Sequence, residues 1–289
     1  MSTPFAPFEK AQVLVEALPF LKAFDRKIVV IKIGGSTMND PAQLPSVVRD
    51  VVFLEQVGMW PILVHGGGPR ITEEMERQGL KPRFVNGRRM TDEATLAIAQ
   101  KVLIDEISAR VVTLIEESGG KGVSLNGRGS SFLRCKKMLV DGLDLGYVGE
   151  IVRVDVELAR RMVLGGIIPV VAPVARSAEG QLYNVNADSA AWRVAAEIEA
   201  EKLVFLSNVP GILRERDRPE TLVSSVSVPD CHRLLKEGVV SGGMIPKVEA
   251  CMNALDGGVR KTHLISGLQR HSLLLEILTP EGIGTEIHW

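Results

Sequence analysis

Twice in the first half of the chain an apolar, β-branched run breaks into adjacent glycines and gives way to a helical pattern, and this constrains the fold more than any other feature. Residues 28–31 read Ile-Val-Val-Ile before Gly34 and Gly35, and residues 62–64 read Ile-Leu-Val before Gly66, Gly67 and Gly68. Runs of this kind suit strands buried on both faces. Strand, glycine loop and helix in tandem argue for parallel strands with helical crossovers. In the first crossover Asp40 and Pro41 read as N-cap and first helical position, Val47, Val48, Val51, Val52 and Leu54 form an apolar stripe, and Gly58 reads as the C-cap. The alternation then continues: a long helix over 91–117, a turn-rich stretch of hairpins over 119–149, a helix over 156–164 and a strand over 167–171. An alanine-rich helix over 188–201 leads into a strand over 203–206, a loop over 207–211, a helix over 244–255, a strand over 262–265 and a last strand over 273–278. The expected fold class is α/β, one doubly wound body on a mainly parallel sheet, with a boundary between lobes near residue 200. Ahead of the first strand, residues 9–18 set Val13, Leu14, Ala17 and Leu18 on one helical face, and Pro19 is expected to interrupt it. A helix standing apart from the core needs a partner.

Composition excludes several classes of function. With 289 residues, 45% hydrophobic and 24% charged, the chain can bury a large core, so disorder is not expected. A net charge of -1 gives no pull toward nucleic acid, and Lys136 with Lys137 or Arg88 with Arg89 are pairs, not runs. Cys135, Cys231 and Cys251 are odd in number, widely spaced and without a C-x-x-C, which suits a reducing, cytoplasmic setting. No apolar stretch is long enough for a bilayer, and Glu9, Lys10, Glu16 and Pro19 interrupt residues 1–24 where a signal peptide needs an apolar core.

The chemistry is expected in the glycine loops, beyond the carboxyl ends of the strands, where helix N-termini present amides to an anion. Lys32 is a charge inside an apolar strand, and burying it alone would cost several kcal/mol, by rough estimate, so an anion or carboxylate partner is expected. Either loop alone reads equally well as a tight turn; together they favour phosphate. The P-loop motif is absent, and Gly127 and Gly129 are followed by Phe132 where a dinucleotide fingerprint needs a third glycine, which disfavours a nicotinamide dehydrogenase. Gly242 and Gly243 opening a helix, with Lys247 one turn on, supply another phosphate candidate.

These residues resemble the amino-acid kinase family, and within it the branch that phosphorylates N-acetyl-L-glutamate. The resemblance runs from about Lys10 to the end, through Val30-Ile31-Lys32-Ile33-Gly34-Gly35, His65-Gly66-Gly67-Gly68-Pro69, Asn86-Gly87-Arg88-Arg89-Met90-Thr91-Asp92, Asn184-Val185-Asn186-Ala187-Asp188, Pro210-Gly211-Ile212-Leu213 and Gly242-Gly243-Met244-Ile245-Pro246-Lys247. It implies an αβα three-layer sandwich of the carbamate kinase type. The implied division is an oligomerising helix extension over 1–25, an acceptor-binding lobe over 26–200 and an ATP-binding lobe over 201–289.

The implied reaction is transfer of phosphate from ATP to the side-chain carboxylate of N-acetyl-L-glutamate, in arginine biosynthesis. By the resemblance Lys32 and Lys247 are the catalytic lysines and Asp188 holds both, although Asp188 also reads as an N-cap. Gly34, Gly35, Gly67 and Gly68 would offer amides to the phosphoryl group and acceptor, and Arg89 and Asn184 would grip the acceptor, while Arg88 reads as a solvated arginine. Ser207, Asn208, Gly211 and Leu213 would hold the nucleotide, with Ser241, Gly242 and Gly243 at its phosphates and Mg²⁺ carried by those phosphates. Asn208 stands where many members carry Asp, so a charge is missing there.

The N-terminal helix resembles the extension of arginine-inhibited members, in which dimers interlace into a hexamer. L-Arginine would then meet Lys202, His263, Glu276 and Gly282; the plainer reading of His263 and Glu276 is a packed histidine and a solvated glutamate. Phe20 replaces the tyrosine frequent in that helix. Alternatives are another acyl-phosphate-forming kinase, with aminoadipate, glutamate or aspartate as acceptor, and a catalytically silent arginine sensor.

Overall fold

A computed structural model describes residues 6–216 and 218–289; residues 1–5 of the expected extension lie outside the described residues. Eight strands form one sheet in the order Ser225–Ser227, Thr285–His288, Lys261–Ser266, Lys202–Ser207, Ile28–Ile33, Trp60–His65, Ile168–Val171 and Gly122–Leu125. Thr285–His288 runs antiparallel to Lys261–Ser266, and every other pairing in this sheet is parallel. Ile28–Ile33 is buried along its whole length, with Lys202–Ser207 on one side and Trp60–His65 on the other.

Alternation along the central strand sends its side chains into two separate cores. Ile28 and Val30 join Ile62, Leu203 and Phe205 beneath helices Ala187–Glu197 and Ile245–Asp256. Val29, Ile31 and Ile33 join Leu63, Val204 and Leu206 beneath Gln43–Gln56, Ala109–Glu117 and Ser272–Leu278. Burying each such aliphatic side chain contributes roughly 1.5–3 kcal/mol. The result is the expected three-layer αβα sandwich. Lys32 shares the face of Ile28 and Val30, which points it at Ala187–Glu197, and the small buried Ala190, Ala191 and Ala195 let that helix lie close to the sheet.

Four expectations shift. Residues 273–278 are not the last strand: Ser272–Leu278 is a helix whose Leu273 and Ile277, four apart, both face the sheet, and the final strand is Thr285–His288. Pro19 does not interrupt the first helix, which runs Pro7–Phe24, because Phe20, Leu21 and Phe24 dock beyond it on the second core. The crossover helix begins at Gln43, with Asp40 Oδ1 accepting from the N–H groups of Ala42 and Gln43 just upstream. The long helix spans Glu93 to Glu117 but carries a π-helical stretch, Lys101–Ser108, at its centre. The expected hairpin is present as Leu133–Val140 and Leu143–Val154, which with Val174–Arg176 and Leu182–Asn184 closes into a small four-stranded unit beside the main sheet.

Candidate active site

After Ile28–Ile33 the chain crosses to Trp60–His65, whereas the strands that follow Lys202–Ser207, first Ser225–Ser227 at the edge and then Lys261–Ser266, lie on the opposite side. Strand order therefore reverses between two adjacent strands, and a crevice opens beyond their carboxyl ends. Lys32 stands there, 5% exposed. Asp188, in the first turn of Ala187–Glu197, places Oδ1 2.6 Å from Lys32 Nζ and Oδ2 3.0 Å from Lys247 Nζ. Asp188 is not the N-cap of its helix; Asn186 is, accepting from the Ser189 N–H, so the Asp188 carboxylate is left to the lysines.

Burial pushes the Asp188 carboxyl up, but Lys32 and Lys247 outweigh it and hold the group below its ordinary range. Burial lowers the Lys32 pKa against the pull of Asp188, with Lys247 adding to the lowering. One carboxylate thus screens two ammonium groups from each other, leaving a net positive charge at the crevice.

Two cavities meet at this triad. The first, about 190 Å³, is walled by Lys32, Gly35, Gly66, Gly67, Gly68, Arg89, Asn184 and Asp188, with Ile71, Leu103 and Val148 as apolar lining. That volume suits a small metabolite better than a drug-sized ligand. Gly67 caps the helix Gly68–Arg77, whose first N–H groups have no acceptor within the helix. Gly34 departs from expectation: its N–H is donated to the Leu206 carbonyl at 3.0 Å, and a Cβ on it would come within 2.8 Å of that same oxygen. Close approach of backbones is what Gly34 supplies here, in place of a free amide.

Arg89 is buried, which lowers its pKa, and it meets no carboxylate among the described residues. It donates to the Gly68 carbonyl at 2.9 Å and to Thr72 Oγ1 at 2.7 Å, and stacks 4.7 Å over the Phe84 ring. An uncompensated buried guanidinium is a site for an anion. Asn184 points its amide at Thr91 Oγ1, 3.4 Å away, on the same wall.

The second cavity, about 1010 Å³, is lined by Gly242, Gly243, Pro246 and Lys247 and by Gly149, Glu150, Trp192 and Arg193. Ser207, Asn208, Gly211 and Leu213 are not on its wall. Ser207 is buried at the carboxyl end of its strand, its hydroxyl bonded to the Val209 backbone, and a Cβ on Gly211 would collide with Thr285 Oγ1.

Away from the crevice, Lys202, His263, Glu276 and Gly282 come together. Lys202 Nζ lies 2.9 Å from His263 Nε2, and His263 Nδ1 lies 2.6 Å from Glu276 Oε1. Glu276 Oε2 accepts from the N–H groups of Ile283 and Gly284, beside Gly282 at φ 61°. Burial lowers the His263 pKa, so the ring is neutral, donates from Nδ1 and accepts the Lys202 ammonium at Nε2. Lys202 also lies 5.1 Å over the ring of Phe24, in the last turn of the N-terminal helix.

Residues 27–266 match the amino acid kinase family. The chain belongs to the amino acid kinase family. An acetylglutamate kinase of Heliobacterium modesticaldum is 45% identical over 288 residues, covering 96% of this chain and 98% of the relative. The N-acetylglutamate synthase of Neisseria gonorrhoeae, solved with coenzyme A and N-acetyl-glutamate, superposes with a TM-score of 0.88 at 28% identity, over 96% of this chain and 63% of that one. The same synthase solved with coenzyme A and L-arginine gives 0.84 at 27% identity, over 96% of this chain and 65% of that one. Carbamate kinase from Giardia lamblia, bound to AMP-PNP, shares the fold with a TM-score of 0.65 at 13% identity, over 91% of this chain and 98% of that one.

For this member of the amino acid kinase family, one residue set aside on sequence grounds returns. Arg88 lines both cavities, carried there by a hairpin that pairs Val85 with Arg88 and Phe84 with Arg89. Asn86 and Gly87 both have positive φ, the two-residue turn that an Asn-Gly pair favours, and that dipeptide was the available signal. Trp192 and Arg193, on the wall of the second cavity, carried no signal in a helix that reads as plain alanine-rich packing. Among the described residues no helix is long and apolar enough to cross a membrane.

Proposed function

We propose that the chain transfers the γ-phosphoryl group of ATP to the side-chain carboxylate of N-acetyl-L-glutamate, giving N-acetyl-L-glutamyl 5-phosphate and ADP. The observation that carries this is the pair of lysines from opposite halves of the sheet sharing Asp188 where the two cavities meet. The 45% identity to an acetylglutamate kinase supports the choice of acceptor.

An acceptor carboxyl with an ordinary pKa of about 4.3 is already ionised at neutral pH, so no general base is required. A carboxylate oxygen attacks the γ-phosphorus, the bond to the β-phosphate oxygen breaks, and that oxygen keeps the electron pair. The barrier is electrostatic, since two anions must meet. Lys32 and Lys247 stabilise the equatorial oxygens and the leaving phosphate, and Asp188 keeps their ammonium groups apart. Amides of Gly35, Gly67 and Gly68 face the reacting anions. Arg89 takes the α-carboxylate of the acceptor and Asn184 its acetamide, with the methyl against the apolar lining of the first cavity.

Gly242 and Gly243, with Ser241 before them, meet the nucleotide phosphates. Ser207, Asn208, Gly211 and Leu213 flank the nucleotide from the strand ends, so the acceptor lies on the 26–200 side and ATP on the 201–289 side. Cations and amides, with the only carboxylate of the triad already engaged by two lysines, suit phosphate oxygens better than a resident metal. Mg²⁺ borne by ATP would supply further charge neutralisation at the phosphates.

A coupled ADP-release assay tests the assignment, with N-acetylglutamate, free glutamate, aspartate and aminoadipate as acceptors. N-acetylglutamate should be turned over fastest, and release with free glutamate but not with N-acetylglutamate would overturn the reading.

A second reading concerns the cluster at Lys202, His263, Glu276 and Gly282, which we propose receives L-arginine. Glu276 meets the guanidinium, and the adjoining last turn of Pro7–Phe24 links the cluster to assembly through that helix. Phe8, Val13, Leu14, Val15 and Leu18 are exposed on the helix, and a second copy of it covers them in a hexamer of interlaced dimers.

A further inference from the structure

The strand Trp60–His65 delivers His65, fully buried, beside the first cavity, and none of the roles above uses it. Both ring nitrogens are engaged: Nδ1 lies 3.1 Å from the carbonyl oxygen of Gly66, and Nε2 lies 2.7 Å from Oγ of Ser108. A carbonyl oxygen only accepts, so Nδ1 carries the proton, and in the neutral ring Nε2 accepts from the Ser108 hydroxyl. Burial foremost, with the Lys32 charge adding to it, outweighs the Gly66 hydrogen bond and pushes the imidazole down to about 4, so the ring is neutral at physiological pH.

Ser108 closes the π-helical stretch Lys101–Ser108. Such widened turns are rare and concentrate at functional sites. The same stretch also packs on the glycine loop directly: a Cβ on Gly67 would stand 2.6 Å from Leu103 Cδ2 and 2.8 Å from Ile107 Cδ1. The loop is therefore held at once by a hydrogen-bonded histidine and by two packed side chains.

In a planar trans peptide the carbonyl and the following N–H point in opposite directions. The Gly66 carbonyl is turned to His65, so the Gly67 N–H is turned away from that contact, in a loop whose three glycines all line the cavity. The neighbouring groups are spoken for: the Gly66 N–H donates to the Ile33 carbonyl at 2.9 Å, and the Gly67 carbonyl accepts from Ile71 N–H at 2.9 Å.

We propose that His65, braced by Ser108 of the π-helical turn, is a positioning residue that aims the Gly67 amide at the anion formed during phosphoryl transfer. It touches no substrate; it acts through one peptide plane. The inference rests on the first cavity being the phosphoryl-acceptor site.

The test compares His65→Leu, which has no donor, with His65→Asn, whose side-chain amide places an N–H near the position of Nδ1. Each is assayed for kcat with N-acetylglutamate and ATP. Each is also assayed for binding of MgADP alone and of MgADP with aluminium fluoride and N-acetylglutamate, a mimic of the phosphoryl group in flight. Loss of an aimed amide should lower kcat by about tenfold to a hundredfold in His65→Leu. The aluminium fluoride complex should weaken by a similar factor while MgADP affinity changes by less than about twofold, and His65→Asn should recover most of the loss. Should His65→Leu fail to fold, Ser108→Ala carries the same comparison, with kcat and the mimic falling together about fivefold. Equal weakening of both ADP complexes, or an Asn variant no better than Leu, would overturn the proposal. Absence of turnover by the wild type with N-acetylglutamate would instead overturn the assignment of the site, and this inference with it.

Discussion

Replacing Asp188 by Asn preserves shape and one acceptor oxygen but removes the charge that two ammonium groups share at 2.6 and 3.0 Å. At an effective interior dielectric of about 20, a unit-charge pair at roughly 3 Å attracts by about 5–6 kcal/mol before desolvation is counted. Removing one partner of a buried pair costs about 3–5 kcal/mol in practice, because the other charge is left uncompensated. Stability of Asp188→Asn should fall by that amount unless Lys32 gives up its proton. Lys32 is already lowered by burial, with Asp188 opposing and Lys247 reinforcing the effect, so loss of the carboxylate drives its pKa further down.

A neutral Lys32 at pH 7 deprives the transferring group of one cation, and turnover should fall by about 10²- to 10³-fold. The residual rate should then climb as pH is lowered from the alkaline to the mildly acidic range, because acid returns the proton to Lys32, whereas the wild type gains nothing from acid. ADP release across that range, with urea unfolding of both proteins, makes the measurement. The stability of the wild type has the opposite acid limb. Asp188 is held below its ordinary 3.8, so its contribution is complete above that value and is lost as pH falls through the lower folded one. Equal turnover at pH 7, or a pH profile in the variant that parallels the wild type, would refute the claim that Asp188 governs the charge on Lys32.

Two other perturbations reach other parts of the molecule. Arg89→Lys keeps a charge but loses the fork and the stacking on Phe84, so KM for N-acetylglutamate should rise by about tenfold or more with KM for ATP unchanged; a rise in the ATP constant alone would contradict its placement. Leu14→Asp puts a charge on an apolar surface that is 69% exposed, so it should lower the solution mass and blunt any arginine inhibition while turnover without arginine holds; an unchanged mass would remove the helix from the assembly.

Much of the site was legible because its chemistry is written locally. Lys32 in an apolar strand, the glycine loops and Gly242 and Gly243 before Lys247 announce themselves by type and order, and Asp188 followed from the resemblance. Less visible were features decided by tertiary packing. The run Leu273 to Leu278 is apolar enough for either a strand or a helix, and only its place over the face of the sheet, with Glu276 receiving two backbone N–H groups, decides for a helix. Pro19 is tolerated because the turn beyond it is anchored by Phe20, Leu21 and Phe24, which no local rule registers. The spent amide of Gly34 could not be foreseen either, since its acceptor, Leu206, lies far along the chain.

The unbroken eight-stranded sheet has a mechanical consequence. Any swing of one half of the molecule against the other about residue 200 would have to tear the ladder that joins Val29 through Ile33 to Lys202 through Leu206, a cooperative row of hydrogen bonds in the driest part of the protein. A far weaker element lies over the site, the hairpin held by only two residue pairs, Phe84 with Arg89 and Val85 with Arg88, which local opening can free without touching that ladder. Opening of that roof leaves intact the floor that carries Lys32.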